Sequence, residues 1–105
     1  KREIKMTETV KKGYWIAHVR VDNLETYKNY VAGARESFEK YGAKFIVRGG
    51  MAVEIEGGIG RDRHVVIEFP SYQAAVDCWN CDGYQAARAH RLPVSEGSVT
   101  IVEAV

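Results

Sequence analysis

Three stretches of this chain are apolar on both sides of what would be a β-strand, and few folds can satisfy that. Successive side chains of a strand point to opposite faces, so a strand with one wet face alternates apolar and polar residues. Residues 64–69 do not alternate: Val65, Ile67 and Phe69 on one parity are matched by Val66 on the other. Residues 98–102 set Val99 and Ile101 against Val102, and residues 14–21 are apolar on both parities until His18 and Arg20 interrupt. A sheet built from such strands needs cover on both faces. With 105 residues, 46% of them hydrophobic, the chain has material for one domain and one core. Its helices can cover one face only. The expected second cover is another copy packed sheet to sheet about a two-fold axis, a homodimer.

The helices are equally legible. Asp22 or Asn23 is a good N-cap, and Leu24, Tyr27, Val31, Ala34, Phe38 and Tyr41 recur at steps of three and four before Gly42 ends the helix. Residues 44–56 return to a β pattern broken by Gly49-Gly50, which we expect to kink one long strand rather than form a hairpin. Residues 57–62 read as a turn, and Pro70 closes the next strand. Ser71 caps a helix carrying Tyr72, Ala75, Val76 and Trp79 on one face. A second helical pattern, Tyr84, Ala87, Arg88 and Arg91, runs to Leu92-Pro93, and a terminal strand comes after it. The order βαββαβ predicts an α+β, ferredoxin-like sandwich with strand order 4-1-3-2 and both helical segments on one face. The single domain is expected over residues 13–105. Residues 1–12, polar and highly charged, are expected to be a partly disordered extension, with Lys1–Lys5 lying ahead of a natural start at Met6.

A net charge of +1 argues against nucleic acid or an anionic membrane as main partner. The longest apolar runs are too short to span a bilayer and no leader pattern precedes them, so a cytoplasmic address is expected. Cys78-Trp79-Asn80-Cys81 matches C-x-x-C, but a redox pair needs its first cysteine at a helix N-terminus, and Cys78 falls late in a helix. Zinc held by Cys78, Cys81 and two of His18, His64 and His90 lacks the paired spacing of structural sites. Free thiols, no metal and no cofactor are the expectation. Gly58-Ile59-Gly60 fits only half of a dinucleotide-binding fingerprint, and a strand comes after it instead of before it.

Polar side chains inside apolar strands carry the functional signal, because an unpartnered one costs about 1 to 3 kcal/mol to bury. His18, Arg48, His64 and Glu68 stand out. In strand order 4-1-3-2, His18, Arg48 and Glu68 come within one strand of one another and could bind an anion or move a proton, with His18 and Glu68 as catalytic candidates. Alternatively Arg48 and Glu68 form a structural ion pair and His18 is a core histidine. Tyr14, Trp15, Trp79 and Tyr84 read as core ahead of a ligand platform, with Trp79 expected to pack between helix and sheet. Tyr84 and Arg91, seven apart, share a helical face and aim a phenol and a cation at one edge of the sheet. Arg91 could instead offset a helix dipole.

Tyr14-Trp15-Ile16, Arg48-Gly49-Gly50, Glu56-Gly57, Arg63-His64-Val65-Val66-Ile67-Glu68-Phe69-Pro70-Ser71, then Ala75, Trp79, Tyr84, Arg91 and Val102-Glu103 together resemble the domain of unknown function 1330 family, over residues 13–104. The resemblance implies a dimeric α+β barrel, an architecture that also serves cofactor-free monooxygenases, muconolactone isomerase-like enzymes, haem-degrading enzymes and sensing domains. Cys81-Asp82-Gly83-Tyr84 departs from the Ser-Pro-Glu-Tyr usual there and weakens that helix start. The expected ligand-binding set is Tyr14, His18, Arg48, Glu68, Trp79, Tyr84 and Arg91. The expected function is small-molecule binding, with cofactor-independent catalysis on a small polar or anionic metabolite as its enzymatic form. A non-catalytic sensing or dimeric interaction module is the alternative, and haem on His90 or His18 is a third reading.

Overall fold

The structure is a computed structural model that describes residues 10–105. The sequence expectations for residues 1–9 lie outside the described residues. The elements are β1 (Gly13–Val21), α1 (Leu24–Lys40), β2 (Lys44–Arg48), β3 (Arg63–Phe69), α2 (Tyr72–Asn80), α3 (Asp82–Arg91), a 3-10 turn (Leu92–Val94) and β4 (Ser95–Glu103). The four strands form one antiparallel sheet in the order β2-β3-β1-β4, the arrangement expected from the sequence. No helix among the described residues is long and apolar enough to cross a membrane.

Each helix starts where a side chain can satisfy its orphan amides. Asn23 accepts from Thr26 N–H at 3.1 Å and Ser71 from Ala74 N–H at 3.0 Å. The weak start anticipated at Cys81 is met by the thiol itself, whose Sγ accepts from Tyr84 N–H at 3.4 Å. Cys78 lies at the end of α2, fully buried, its Sγ donating to the Ser37 carbonyl at 3.8 Å. Burial pushes its pKa up to about 12, so at neutral pH it is a thiol, an inert packing group rather than a nucleophile.

The register of the central strands sorts the sheet into two faces. Trp15 lies opposite both Ile67 and Ile101, and cross-strand partners share a face. Trp15, Val19, Ile67 and Phe69 are buried with Ala34, Ala75, Tyr84 and Ala87 of the helices, so the odd parity of β1 and β3 faces the helical layer. Trp15 sits at the centre, its indole N–H donating to the Ala75 carbonyl at 2.9 Å and its ring meeting Phe38, Phe69, Trp79 and Tyr84 at 4.9–5.6 Å between centroids. Small residues let α1 and α3 approach closely. A methyl group added at Gly33 would stand 3.2 Å from Ala87 Cβ. The even parity faces away from the helices and carries Ile16 and Val66 half-buried and Val102 exposed.

One expectation fails. Residues 44–56 do not form a single kinked strand: β2 ends at Arg48, and residues 49–62 carry no strand. Gly49 turns the chain at φ +68°, and its N–H donates to the His64 carbonyl at 2.9 Å, which closes the β2–β3 ladder at that point. Beyond it Met51, Val53 and Ile55 alternate correctly for a strand but stand exposed, Met51 entirely, because β3 begins only at Arg63 and offers no partner. A second departure is a bulge. Phe45 pairs with Ile67 while Val47 pairs with Val66, so Ile46 is an extra residue that reverses the facing of Val47 and Arg48.

Candidate functional site

A cavity of about 290 Å3 opens between the helix-facing side of the sheet and α1 with α3. Its apolar floor and wall come from Trp15, Phe45, Ile67 and Tyr84 and from Tyr27, Tyr30 and Phe38 of α1. Four arginines line it, Arg35, Arg48, Arg63 and Arg91, against one carboxylate, Glu39. The excess of three positive charges is concentrated where the chain as a whole is nearly neutral.

Arg91 is the most constrained of them. Its residue is 9% exposed, its Nη2 donates to the Tyr84 hydroxyl at 3.1 Å, and its guanidinium lies 5.2 Å from the centre of the Tyr30 ring. The Tyr84 and Tyr30 hydroxyls share a hydrogen bond of 3.0 Å. Burial, then the neighbouring Tyr84 phenol, lift Tyr30 well above the usual tyrosine range, so at neutral pH it is an uncharged donor. Burial works against the charge on Arg91, but contact with Tyr84 and Tyr30 outweighs it and holds the guanidinium above its ordinary pKa. Among the described residues no carboxylate lies within 4 Å of Arg35, Arg48, Arg63 or Arg91. Arg63 packs over Gly49, where an added methyl would come within 2.6 Å of the guanidinium, and its buried Nε has no partner among the described residues.

The bulge at Ile46 brings Arg48 to this cavity. In a regular strand Phe45 and Arg48 would face opposite ways. With one extra residue both face the helices, Arg48 opposite Val65 and stacked at 4.2 Å over the Phe45 ring, a cation–π contact that holds the guanidinium at the mouth.

The seven ligand-site candidates therefore divide. Arg48, Tyr84 and Arg91 meet in the cavity. Trp79 supports its floor from below, 5.3 Å from Tyr84 and 5.6 Å from Trp15. Tyr14, His18 and Glu68 lie on the opposite face of the sheet. There Glu68 accepts from Tyr14 OH at 3.0 Å and from Lys12 Nζ at 3.2 Å. The hydrogen bonds from Lys12, then Tyr14, hold its carboxyl below the usual range, and the bond to Glu68 in turn raises Tyr14. Neither the expected cluster of His18, Arg48 and Glu68 nor the alternative Arg48–Glu68 ion pair forms, because the sheet lies between Arg48 and the other two. Arg91 does more than offset a helix dipole. Sequence reasoning missed Tyr30 and Arg63. The signals were available: Arg63 shares the parity of Val65 and Ile67, and Tyr30 stands three residues after Tyr27 and four before Ala34, on the apolar face of α1.

The chain belongs to the DUF1330 family, a domain of unknown function, whose model matches residues 12–105. No curated protein matches it. Among solved structures it is similar to a protein of unknown function from Rhodopseudomonas palustris, with a TM-score of 0.74 at 18% identity, covering 98% of this chain and 89% of that one. SnoaB, a cofactor-independent oxygenase from Streptomyces nogalater, aligns with a TM-score of 0.61 at 11% identity over 91% of this chain and 95% of that one. A dimeric ferredoxin-like protein of unknown function from Thermobifida fusca gives 0.51 at 15% identity over 93% and 96%. At these identities the likeness extends to the fold.

Because Arg48 and Glu68 face opposite sides of the sheet, their substitutions should be independent. The melting shift of an Arg48→Met, Glu68→Gln double variant should equal the sum of the two single shifts. A depressed carboxyl pKa stabilises the fold above the unfolded value, near 4.3, and that contribution disappears as pH falls through the folded value. The melting difference between wild type and Glu68→Gln should therefore fade below about pH 4. Non-additive shifts would show that the two side chains are coupled after all.

Proposed function

We propose that the protein binds a small planar anion in this cavity, one or two rings bearing a carboxylate or similar group. The observation that supports it is Arg91, a buried guanidinium facing an aromatic cavity with two phenols for company and no carboxylate within reach among the described residues. Tyr84 and Tyr30 hold the guanidinium in place without neutralising it, and a ligand anion would supply the opposite charge. Arg48 and Arg63 offer further donors in the fork geometry that suits a carboxylate. The volume lies near the lower end of small-ligand pockets, roughly 300 Å3, which restricts the guest to a small molecule.

The cavity suits chemistry in which negative charge develops on the ligand, since preformed cations in a dry site stabilise it most. The fold is shared with an enzyme described as a cofactor-independent oxygenase, which supports a catalytic reading. Against it, among the described residues no imidazole lines the cavity and its one carboxylate is Glu39, leaving a single candidate base. That observation favours ligand sensing as the second reading.

The protein is also proposed to act as a homodimer through the open face of the sheet. Ile16, Val66, Val47 and Val102 present apolar surface there, and a structural neighbour is described as dimeric. Sedimentation should give about twice the chain mass of 11.8 kDa at micromolar concentration. A single species of monomer mass across dilution would remove the proposal.

Ligand binding is tested by thermal shift with benzoate and 2-naphthoate against their amides. At one hundred times Kd a bound carboxylate adds about 2.7 kcal/mol, on the order of 10 °C for a domain of this size. Wild type should respond to carboxylates and not to amides. Arg91→Met removes the contacts to Tyr84 and Tyr30 and should melt below wild type, and it should lose the response to carboxylates. Equal shifts from acids and amides, or none from either, would contradict the reading.

A further inference from the structure

Residues 49–62, which join β2 to β3, leave four large apolar side chains in water: Met51, Val53, Ile55 and Ile59 are each more than half exposed. The segment has no helix or strand of its own, and apolar surface gathered in one place calls for a cover. The ends of the segment show where that cover lies. Val19 pairs with Arg63, and Arg48 with Val65, so these residues of β1, β2 and β3 stand at one end of the sheet. From that same end β1 leads into the first turns of α1. Val19, Tyr27, Val31, Arg48 and Arg63 all line the cavity, and the segment departs at Arg48 and returns at Arg63, on the cavity's rim. We propose that residues 49–62 are a lid that closes over the occupied cavity and packs Met51, Val53 and Ile55 against the ring of the bound anion, an inference that rests on the anion-binding reading.

The segment is held at its base and little beyond it. The Gly49 N–H bond to the His64 carbonyl at 2.9 Å sets its two ends side by side. Past that point a methyl group added at Gly50, Gly57 or Gly60 would meet nothing within 4 Å, and one added at Gly58 would meet only the segment's own Glu54. Arg61 approaches Glu96 at 3.9 Å, which is too far for a hydrogen bond. A loop with so few contacts opens and closes at low cost. Half of residues 50–62, extended, spans about 20 Å, enough to carry the apolar side chains across the mouth between β2 and α1.

Closure is coupled to the ligand by charge and by apolar surface. In extended backbone Met51, Val53 and Ile55 share one face and Glu54 and Glu56 the other, so a lid with its apolar face down keeps its carboxylates in water. Closing over an empty cavity would strip water from Arg48 and Arg63, neither of which has a carboxylate within 4 Å among the described residues. A bound carboxylate supplies the missing charge, and its ring supplies the surface that the lid buries. The ligand therefore favours the closed state over the open one, which is what a ligand-driven closure requires. Excluding water in turn strengthens the attraction between carboxylate and guanidinium.

The test is amide hydrogen exchange with and without benzoate, read by mass spectrometry, together with calorimetric titration of benzoate, on wild type and on a Met51→Ser, Val53→Ser, Ile55→Ser triple variant. The three side chains are exposed, so without ligand the variant should melt with wild type. Benzoate should slow exchange of residues 51–60 by about tenfold or more in wild type, and the variant should bind it about tenfold more weakly and show no such protection. The proposal is overturned if benzoate stabilises wild type while exchange of residues 51–60 stays unchanged, or if the variant binds benzoate as tightly as wild type does. Weakened self-association of the variant with its benzoate affinity intact would assign the segment to a second copy and overturn it as well. Absence of benzoate binding by wild type would remove the cavity reading and the lid with it.

Discussion

A guanidinium buried without a counter-charge is the constraint around which this fold is arranged. Arg91 lies at the end of α3, and the 3-10 turn after it carries the chain directly into β4, so its position is fixed at both sides. Its charge is met by the Tyr84 hydroxyl, which is met in turn by Tyr30 of α1, and this chain of contacts ties the two helices together over the sheet. Two neutral phenols can orient a cation but do not neutralise it. The cavity beside it gives that charge a use.

The sheet keeps two chemistries apart. Antiparallel register places aromatic residues and arginines on the helix side and imidazoles with a carboxylate on the other, at positions that are neighbours in sequence. His64 and Arg63 are adjacent yet face opposite ways. The separation means that substitution on one face should leave the other intact.

Much of this was legible in the sequence. The steps of three and four from Leu24 to Tyr41, the capping residues Asn23 and Ser71, and the two-sided strands led to the observed element order and strand order, because periodicity and capping are local properties. Tyr84 with Arg91 was legible for the same reason: residues seven apart on a helix share a face whatever surrounds them. The grouping of Arg48 with His18 and Glu68 rested on strand adjacency, which does not fix the face a residue takes, and the bulge at Ile46 turns Arg48 to the helix side. Nothing in Phe-Ile-Val-Arg announces a bulge. It depends on pairing with β3, which is a tertiary fact. The long strand expected over residues 44–56 failed similarly, since the alternation at Met51, Val53 and Ile55 is correct for a strand whose partner is absent among the described residues.

A crystal structure of the protein with 4-bromobenzoate tests most directly whether the cavity is an anion site. The bromine anomalous peak should lie against the aromatic floor formed by Trp15, Phe45 and Tyr84, with the carboxylate within about 3.2 Å of the guanidinium of Arg48, Arg63 or Arg91. A cavity without the ligand at saturating concentration, or a ligand seated with its carboxylate turned away from all three arginines, would contradict it.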